Sequence, residues 1–334
     1  MSTVQLSLLR VTAVQGAVPH CRLDQVHIRP VKQIAMSNST SLDGLSREEL
    51  GKLSAYNYLP SQTVAIIMLV LFGISTIAHT GQSVYYRRWF LLPTAVLCGV
   101  LELLGWAGRL WSYHQPLNFE PFQMQITCTI IAPTPLLAAT FIIFGHIINR
   151  LGNMYSRLTP KQYMILFCTF DVVSLVVQGV GGGLAATASE ENGRDPRTGG
   201  NIMLGGIAFQ LLVIAVFFIC AIEVIYRYLK DRPVPSAVPG ERGTLTPKLK
   251  IMVGALALST IVLLIRAIYR TIELADGWTG RIISTQVYFN VLDGAMVIIA
   301  IWLLNIFHPG VFLFPELGLR DSLEKPESRA SSTA

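Results

Sequence analysis

Charged side chains lie inside long apolar stretches of this 334-residue sequence. Glu102 and Arg109 are seven residues apart in one stretch, and Arg266 and Arg270 are four residues apart in another. On a helix, both spacings place the two side chains on one face. Because a charge near the centre of a bilayer costs about 2.5–3.5 kcal/mol, such residues are expected to pair with one another or to serve a function.

Further polar residues extend this pattern into other apolar stretches. Asp171 and Gln178 again lie seven residues apart, Gln210 lies in the next stretch, and Asn290 and Asp293 lie three apart near the end of the chain. Such groups can bind a charged headgroup or relay protons, and they can also form interhelical hydrogen bonds worth about 0.6 kcal/mol each. Each residue alone fits a packing role, whereas six charges in one layer favour a binding site.

Seven apolar stretches carry these side chains, and each is close to the length of about 20 residues that crosses a hydrocarbon core of about 30 Å. They cover residues 62–79, 89–111, 124–148, 163–188, 202–229, 249–272 and 285–307. Pro133, Pro135 and the glycines around Gly181 interrupt two of them, and membrane helices tolerate such residues at kinks and close contacts. The sequence predicts an all-α bundle of seven transmembrane helices.

The composition excludes a soluble protein. Hydrophobic residues make up 52% of the chain and charged residues 14%, against about 25% charged in an ordinary soluble domain. The net charge of +6 does not indicate nucleic acid as a partner, because the lysines and arginines fall mainly between the apolar stretches, where they set membrane topology. The expected partners are membrane lipids and a small amphipathic substrate.

The basic residues also predict an orientation. Fourteen lysines and arginines follow stretches one, three, five and seven, whereas the loops of the other side hold Arg194, Arg197 and Arg281. This bias places the C-terminus in the cytosol and the N-terminus outside. Asn38 begins a glycosylation acceptor pattern that requires an exterior or lumenal tail. We therefore expect a largely disordered extracellular tail over 1–57, a membrane domain over 58–310 and a cytosolic tail over 311–334, in the plasma membrane or another endomembrane.

With this orientation most of the polar residues fall in the outer half of the bundle. Three acids (Glu102, Asp171 and Asp293) then face three arginines, and a balanced set can pair internally. We expect one polar cavity there, lined by stretches two, four, five, six and seven.

Two further pairs lie close to helix ends. Glu223 and Arg227 are four residues apart, and Arg270 and Glu273 are three apart. Side chains at these spacings are neighbours on a helix, and we expect both to be surface pairs.

The sequence offers little support for an enzyme. The patterns GxxxxGK[ST], HExxH and GxSxG do not occur in it. His79, His146 and His308 each lie at the predicted cytoplasmic edge and could bind zinc or haem, although a single interfacial histidine is more often a helix-end contact. A metal-dependent membrane enzyme is the least favoured class, and no cofactor is expected.

Several motifs in this sequence match a known family. They are Tyr58-Leu59-Pro60-Ser61, His79 with Gln82, Gly99-x-x-Glu102-x-x-Gly105-Trp106-x-Gly108-Arg109, Ala132-Pro133, Asp171-x-x-Ser174-x-x-x-Gln178-x-x-Gly181-Gly182-Gly183, Arg266-x-x-Tyr269-Arg270-x-x-Glu273 and His308-Pro309-Gly310. In this respect the chain resembles the fungal lipid-translocating exporter family, also called the resistance-to-aminocholesterol family. The resemblance implies a seven-span protein tied to efflux or flipping of sphingoid long-chain bases, to porphyrin uptake or to resistance to toxic lipophiles.

Two functions remain open at this point. In the first, the protein moves an amphipathic lipid with a cationic headgroup, whose amine exchanges for an arginine at Asp293 or Glu102. In the second, it is a seven-span receptor or sensor of lipophilic ligands, in which the basic loop 227–250 contacts a cytosolic partner.

Overall fold

The computed structural model of this protein describes residues 46–187, 195–235, 241–277 and 280–314. The compact unit described here begins at Arg47. Asn38 and the residues beyond position 314 lie outside the described residues. All regular secondary structure in the described ranges is helical.

Seven helical segments are long and apolar enough to cross a membrane. They are span 1 (Gln62–Tyr85), span 2 (Trp89–His114), span 3 (Phe119–Leu151), span 4 (Pro160–Ala185), span 5 (Arg197–Leu229), span 6 (Pro247–Ala275) and span 7 (Gln286–Phe312). The prediction of an all-α seven-span fold is confirmed. Span 1 continues to Tyr85 and not to position 79, because apolar composition marks only the part of a helix that lies in hydrocarbon.

Three of the spans are not continuous α-helices. Span 2 opens with the 3-10 turn Trp89–Leu91 and the π-helical turn Leu92–Val96 before the α-helix Leu97–His114. Span 3 consists of the helices Phe119–Ile131 and Pro133–Leu151, joined at Ala132.

Span 7 has its break near its start. The π-helical turn Asn290–Ala295 separates the helices Gln286–Phe289 and Met296–Ile306, and the short helix Pro309–Phe312 follows. A π-helical turn widens the helix locally and is frequent at functional sites.

The second half of span 3 is the centre of the bundle. Thirteen of the 19 residues in Pro133–Leu151 are buried, and Phe141 and Phe144 form edge contacts with Phe217 of span 5 at centroid distances of 4.6 and 5.4 Å. Large apolar side chains such as Ile77 and Ile219 are instead 75% and 64% exposed. An exposed apolar surface of this kind suits contact with lipid.

Spans 4 and 5 approach each other through small residues. A Cβ added at Gly181 would lie 2.3 Å from the backbone nitrogen of Met203, and one added at Gly199 would lie 2.3 Å from that of Ala185. Gly181 therefore serves close helix packing, as small residues do in membrane interfaces.

The segment before span 1, residues 47–61, forms a cap over one end of the bundle. Its helix Arg47–Lys52 is joined to span 2 by a 3.1 Å hydrogen bond from Arg47 to the Tyr113 carbonyl oxygen. Tyr56 donates to Gln125 of span 3 at 3.1 Å, and Asn57 donates to Ser284 before span 7 at 3.1 Å. We call this end of the bundle the cap end.

Candidate functional site

Arg270 is the centre of a buried ion cluster between spans 3, 6 and 7. Its Nε and Nη2 donate to the two carboxylate oxygens of Asp293 at 2.8 and 2.7 Å, and its Nη1 donates to Glu273 at 2.7 Å. Nη2 also donates to the Thr129 hydroxyl at 2.9 Å. The contact with Asp293 is bidentate, which is the strongest and most directional form of the arginine–carboxylate pair.

Arg266 joins the same cluster one helical turn earlier. Its Nε lies 2.8 Å from Asp293 Oδ1 but is not aligned for a hydrogen bond, so this contact is an ion pair. Its Nη2 donates to the Thr129 carbonyl oxygen. Asp293 thus balances two arginines.

The carbonyl of Thr129 is available because of Pro133. A proline has no N–H and cannot bond the carbonyl four residues earlier, which in span 3 is Thr129. Arg266 occupies that acceptor, and Arg270 binds the hydroxyl of the same residue. We did not predict Thr129 as a site residue, although counting four residues back from Pro133 would have identified it.

The position of Glu273 differs from the one predicted. We expected it to pair with Arg270 at the surface, but its side chain is 8% exposed and that of Arg270 is 4% exposed. Tyr269 donates to its second oxygen at 2.7 Å. Arg270 also binds Thr129 of span 3 and Asp293 of span 7, so the pair lies between helices and not at the surface. Glu223, in contrast, is 31% exposed and pairs with Arg157 and Arg227 at 2.8 Å, as expected for a surface pair.

Glu102 lies beside this cluster and is not bonded to it. Its electrostatic neighbours include Asp293, Arg266 and Arg270, and it is fully buried. Neither carboxylate oxygen accepts a well-aligned hydrogen bond from the described residues, although the indole N–H of Trp106, itself without an aligned acceptor, lies near enough to interact with Glu102. The two arginines are already matched by Asp293 and Glu273, so Glu102 adds an acid that the cluster does not neutralise.

Arg109 is enclosed by aromatic rings and not by acids. Its guanidinium lies 4.5 Å from the ring centroid of Phe289 and 5.2 Å from that of Tyr56, and it donates to the Tyr58 hydroxyl at 2.8 Å. Such contacts stabilise a cation by about 0.5–2 kcal/mol each. Burial raises the pKa of Tyr56 to about 12, a shift that Arg109 partly offsets, so Tyr56 remains a hydrogen-bond donor at neutral pH.

A second polar cluster lies between spans 3, 4 and 5. Gln210 Nε2 donates to Asp171 at 2.7 Å and to the Thr134 hydroxyl at 3.1 Å. Gln178 Nε2 donates to Gln210 Oε1 at 3.1 Å and to Ser174 at 2.7 Å. Asp171 Oδ2 is buried without a partner among the described residues.

The predicted site residues therefore fall into separate groups. Arg266, Arg270 and Asp293 meet directly with Glu102 beside them, Arg109 lies in the aromatic enclosure at the cap end, and Asp171, Gln178 and Gln210 form the second cluster. Asn290 shares the π-helical turn with Asp293, but its Oδ1 has no partner in the described ranges. We expected one polar cavity lined by spans 2, 4, 5, 6 and 7; the structure shows two clusters, and span 3, which was not among the expected spans, contributes Thr129 to one and Thr134 to the other.

The three histidines at the other end of the bundle make separate contacts. His79 Nε2 lies 3.1 Å from the Ile301 carbonyl oxygen, His308 stacks on Tyr86 at 4.9 Å, and His146 packs edge-on against Phe314 at 5.0 Å. Within the ranges that the structure describes, no group of three or more histidine, cysteine, aspartate or glutamate side chains is placed to hold a metal ion.

Comparison with known proteins gives consistent matches. The profile of a family described as RTA1 like protein matches residues 95–316. The Sphingoid long-chain base transporter RSB1 of Saccharomyces cerevisiae (strain ATCC 204508 / S288c) is 30% identical over 303 residues, which cover 83% of this chain and 75% of the relative.

Two more distant relatives are also fungal. Protein RTM1 of Saccharomyces cerevisiae is 25% identical over 298 residues, covering 77% of this chain and 93% of the relative. The Lipid-translocating exporter-like protein RTA1 of Leptosphaeria maculans is 25% identical over 282 residues, covering 78% of this chain and 52% of the relative. No solved structure matches.

Proposed function

Because this chain belongs to the RTA1-like family, we propose that it transports or translocates amphipathic lipids with a cationic headgroup, the sphingoid long-chain bases foremost. Its relatives are named as a sphingoid long-chain base transporter and a lipid-translocating exporter. A seven-span membrane protein suits this function, since the hydrocarbon chain of the substrate can stay in contact with lipid.

The observation that carries the proposal is the buried carboxylate of Glu102. A buried acid without a well-aligned hydrogen bond is costly, and the neighbouring arginines are already neutralised. A primary ammonium group would supply both the positive charge and the donors that Glu102 lacks. Asp293 is a second acceptor, which an amine reaches by displacing one of its two arginines.

Replacing Glu102 tests the proposal directly. In purified protein reconstituted into vesicles, Glu102→Gln should slow the movement of a fluorescent sphingoid base roughly 10–100-fold, the loss expected for one hydrogen bond to a charged group. Asp293→Asn should slow it as well. The measurement is transbilayer flux of the labelled base.

The matched control is Glu223→Gln. This acid belongs to an exposed ion pair, and its replacement should leave flux within about twofold of wild type, since surface pairs contribute about 0–1 kcal/mol. Wild-type flux in a folded Glu102→Gln protein would contradict the assignment of this residue. Ligand binding without flux in the wild-type protein would instead favour a receptor or sensor.

The remaining assignments belong to the same proposal. We place the N-terminal tail (1–57) outside, the membrane domain (58–310) in the plasma membrane and the C-terminal tail (311–334) in the cytosol, on the distribution of basic residues. A transport function, and not an enzymatic one, agrees with the names of the relatives.

A further inference from the structure

Two narrow clefts meet at Arg270 and form one seam. Both are nearly closed, with a cavity volume of about 10 Å³ each, at most the space that one water molecule needs. Ile130 of span 3, Ile207 of span 5 and Arg270 of span 6 line both clefts. The seam therefore follows the junction of three helices, between the first half of span 3 and spans 5 and 6.

The wall of the seam is largely apolar. Ile126 and Ile130 of span 3 face Met203 and Ile207 of span 5, and Leu274 of span 6 closes the side near the cap end. A hydrocarbon chain between these side chains would remain in an environment like that of the bilayer, at no cost in apolar surface exposed to water.

Polar groups mark both ends of the same seam. Glu273 and Arg270 line the first cleft, while Gln178 and Gln210 line the second, with Arg266 between them. Gln210 in turn binds Asp171, which is 1% exposed. Among the described residues Asp171 forms no ion pair, and its Oδ2 has no hydrogen-bond partner.

The first half of span 3 is built as a separate unit. It is joined to the second half at Ala132–Pro133 and packs closely on span 2, where a Cβ on Gly105 would lie 2.7 Å from Thr129 Cγ2. Its polar connections to span 6 are those that Arg266 and Arg270 make to Thr129. A volume of about 10 Å³ is far below the about 300–1,000 Å³ of typical ligand pockets, so a ligand can enter only when this helix moves away from spans 5 and 6.

From these observations we propose that the seam is the binding site for a single-chain amphiphilic amine. The hydrocarbon chain lies between span 3 and spans 5 and 6, and the ammonium group passes from the Asp293–Glu273 cluster to a second binding position at Asp171, Gln178 and Gln210. This inference rests on the proposed transport of cationic lipids. It adds the path of the substrate, the gap between span 3 and spans 5 and 6 that holds its chain, and the second headgroup position.

The acceptor groups of the two clusters suit an ammonium headgroup. An ammonium group leaving Asp293 and Glu273 meets the two glutamine side chains and then an acid whose second oxygen is available. Each position offers oxygen acceptors, so the headgroup is never without a partner in a medium where that costs several kcal/mol. Glu273 lines the first cleft, and Asp171 is bound to Gln210 of the second, so a carboxylate lies at each headgroup position.

Photolabelling tests the path in the full-length wild-type protein. The probe is a long-chain amine with a diazirine in its hydrocarbon chain, added to phosphatidylcholine vesicles that contain the protein. Label should be found at Ile126, Ile130, Met203 and Ile207, and an excess of unlabelled long-chain amine should remove it, whereas a neutral alcohol of the same length should not. Label confined to lipid-facing side chains such as Ile219, or label that the amine does not displace, would overturn the proposal.

Filling the seam provides the functional test. Ile207→Trp should lower both the labelling and the flux of the amine about tenfold, because the indole takes the space that the hydrocarbon chain of the amine needs. Ile219→Trp, on the same helix but 64% exposed, should leave both unchanged. If Ile207→Trp does not fold, Asp171→Asn replaces it, with an expected loss of labelling of roughly 10–100-fold.

The two proposals fail in different ways. Absence of amine flux in wild-type and Ile219→Trp protein would reject the transport function. Normal flux that persists in folded Ile207→Trp and Asp171→Asn proteins would reject the seam and leave the transport function standing.

Discussion

At the scale of single residues, the two central acids have different surroundings. Asp293 receives three contacts from Arg266 and Arg270, whereas neither oxygen of Glu102 accepts a well-aligned hydrogen bond in the described part of the chain. The first arrangement is that of a structural ion pair, and the second is the one that our proposal assigns to the substrate amine. The spacing of residues in the sequence does not distinguish these two acids.

This difference predicts opposite effects on stability. Asp293→Asn should lower the free energy of unfolding by about 3–5 kcal/mol, because it leaves buried arginines without their partner. Glu102→Gln should leave stability unchanged or raise it, since no well-aligned hydrogen bond is lost and an acid that is costly to bury in its ionised form is replaced by a neutral amide. Thermal unfolding in detergent measures both, and an equal loss of stability in the two variants would show that Glu102 is also structural.

At the scale of the elements, irregular turns coincide with the charged cluster. Asp293 lies in a π-helical turn, and Thr129 lies directly before the break of span 3 at Ala132. The break of span 3 could be predicted from Pro133 in the sequence. The π-helical turn has no such signal in the residues Asn290–Ala295, because it depends on how span 7 packs on its neighbours.

Gly294 shows that packing. A Cβ at this position would lie 2.5 Å from Cζ2 of Trp106 in span 2, so only glycine lets the indole pack against the turn that carries Asp293. Gly294→Ala should therefore destabilise the protein by about 1–3 kcal/mol through overpacking. It should also reduce amine flux, because Trp106 and Asp293 are displaced together.

Gly254→Ala is the matched control for this change. Gly254 lies in span 6 with no atom within 4 Å of an added Cβ, and alanine is favoured over glycine in a helix by up to about 1 kcal/mol. This variant should be as stable as wild type or more stable. Equal thermal stability of the Gly294→Ala and Gly254→Ala proteins would contradict the role assigned to the Trp106 contact.

At the scale of the whole molecule, the polar residues form two clusters, each of which is bonded to span 3. The predicted depth of these residues in the membrane placed them in one layer and suggested one cavity. Span 3 is joined to both clusters, because Thr129 binds one and Thr134 binds the other, and a narrow cleft lined by Gln178, Gln210, Arg266 and Arg270 connects the two.

The orientation of the molecule has its own test. If the N-terminal tail is exterior, Asn38 should carry a glycan in a eukaryotic host. Endoglycosidase treatment should then increase the electrophoretic mobility of the wild-type protein and leave that of Asn38→Gln unchanged. Accessibility of a C-terminal tag only after permeabilisation of the cell is the complementary observation, and a tag accessible on intact cells would reverse the orientation.

The sequence alone determined the seven helices and the residues that cannot be ordinary lipid-facing side chains. Hydrocarbon thickness and the cost of burying charge act on each helix separately, so composition and spacing are sufficient for both conclusions. Tertiary structure decided which of these residues are partners: Glu273 was buried and not at the surface, Arg109 faced aromatic rings and not acids, and Thr129 bound two arginines. Such pairings depend on distances between helices far apart in the chain, which helical periodicity does not encode.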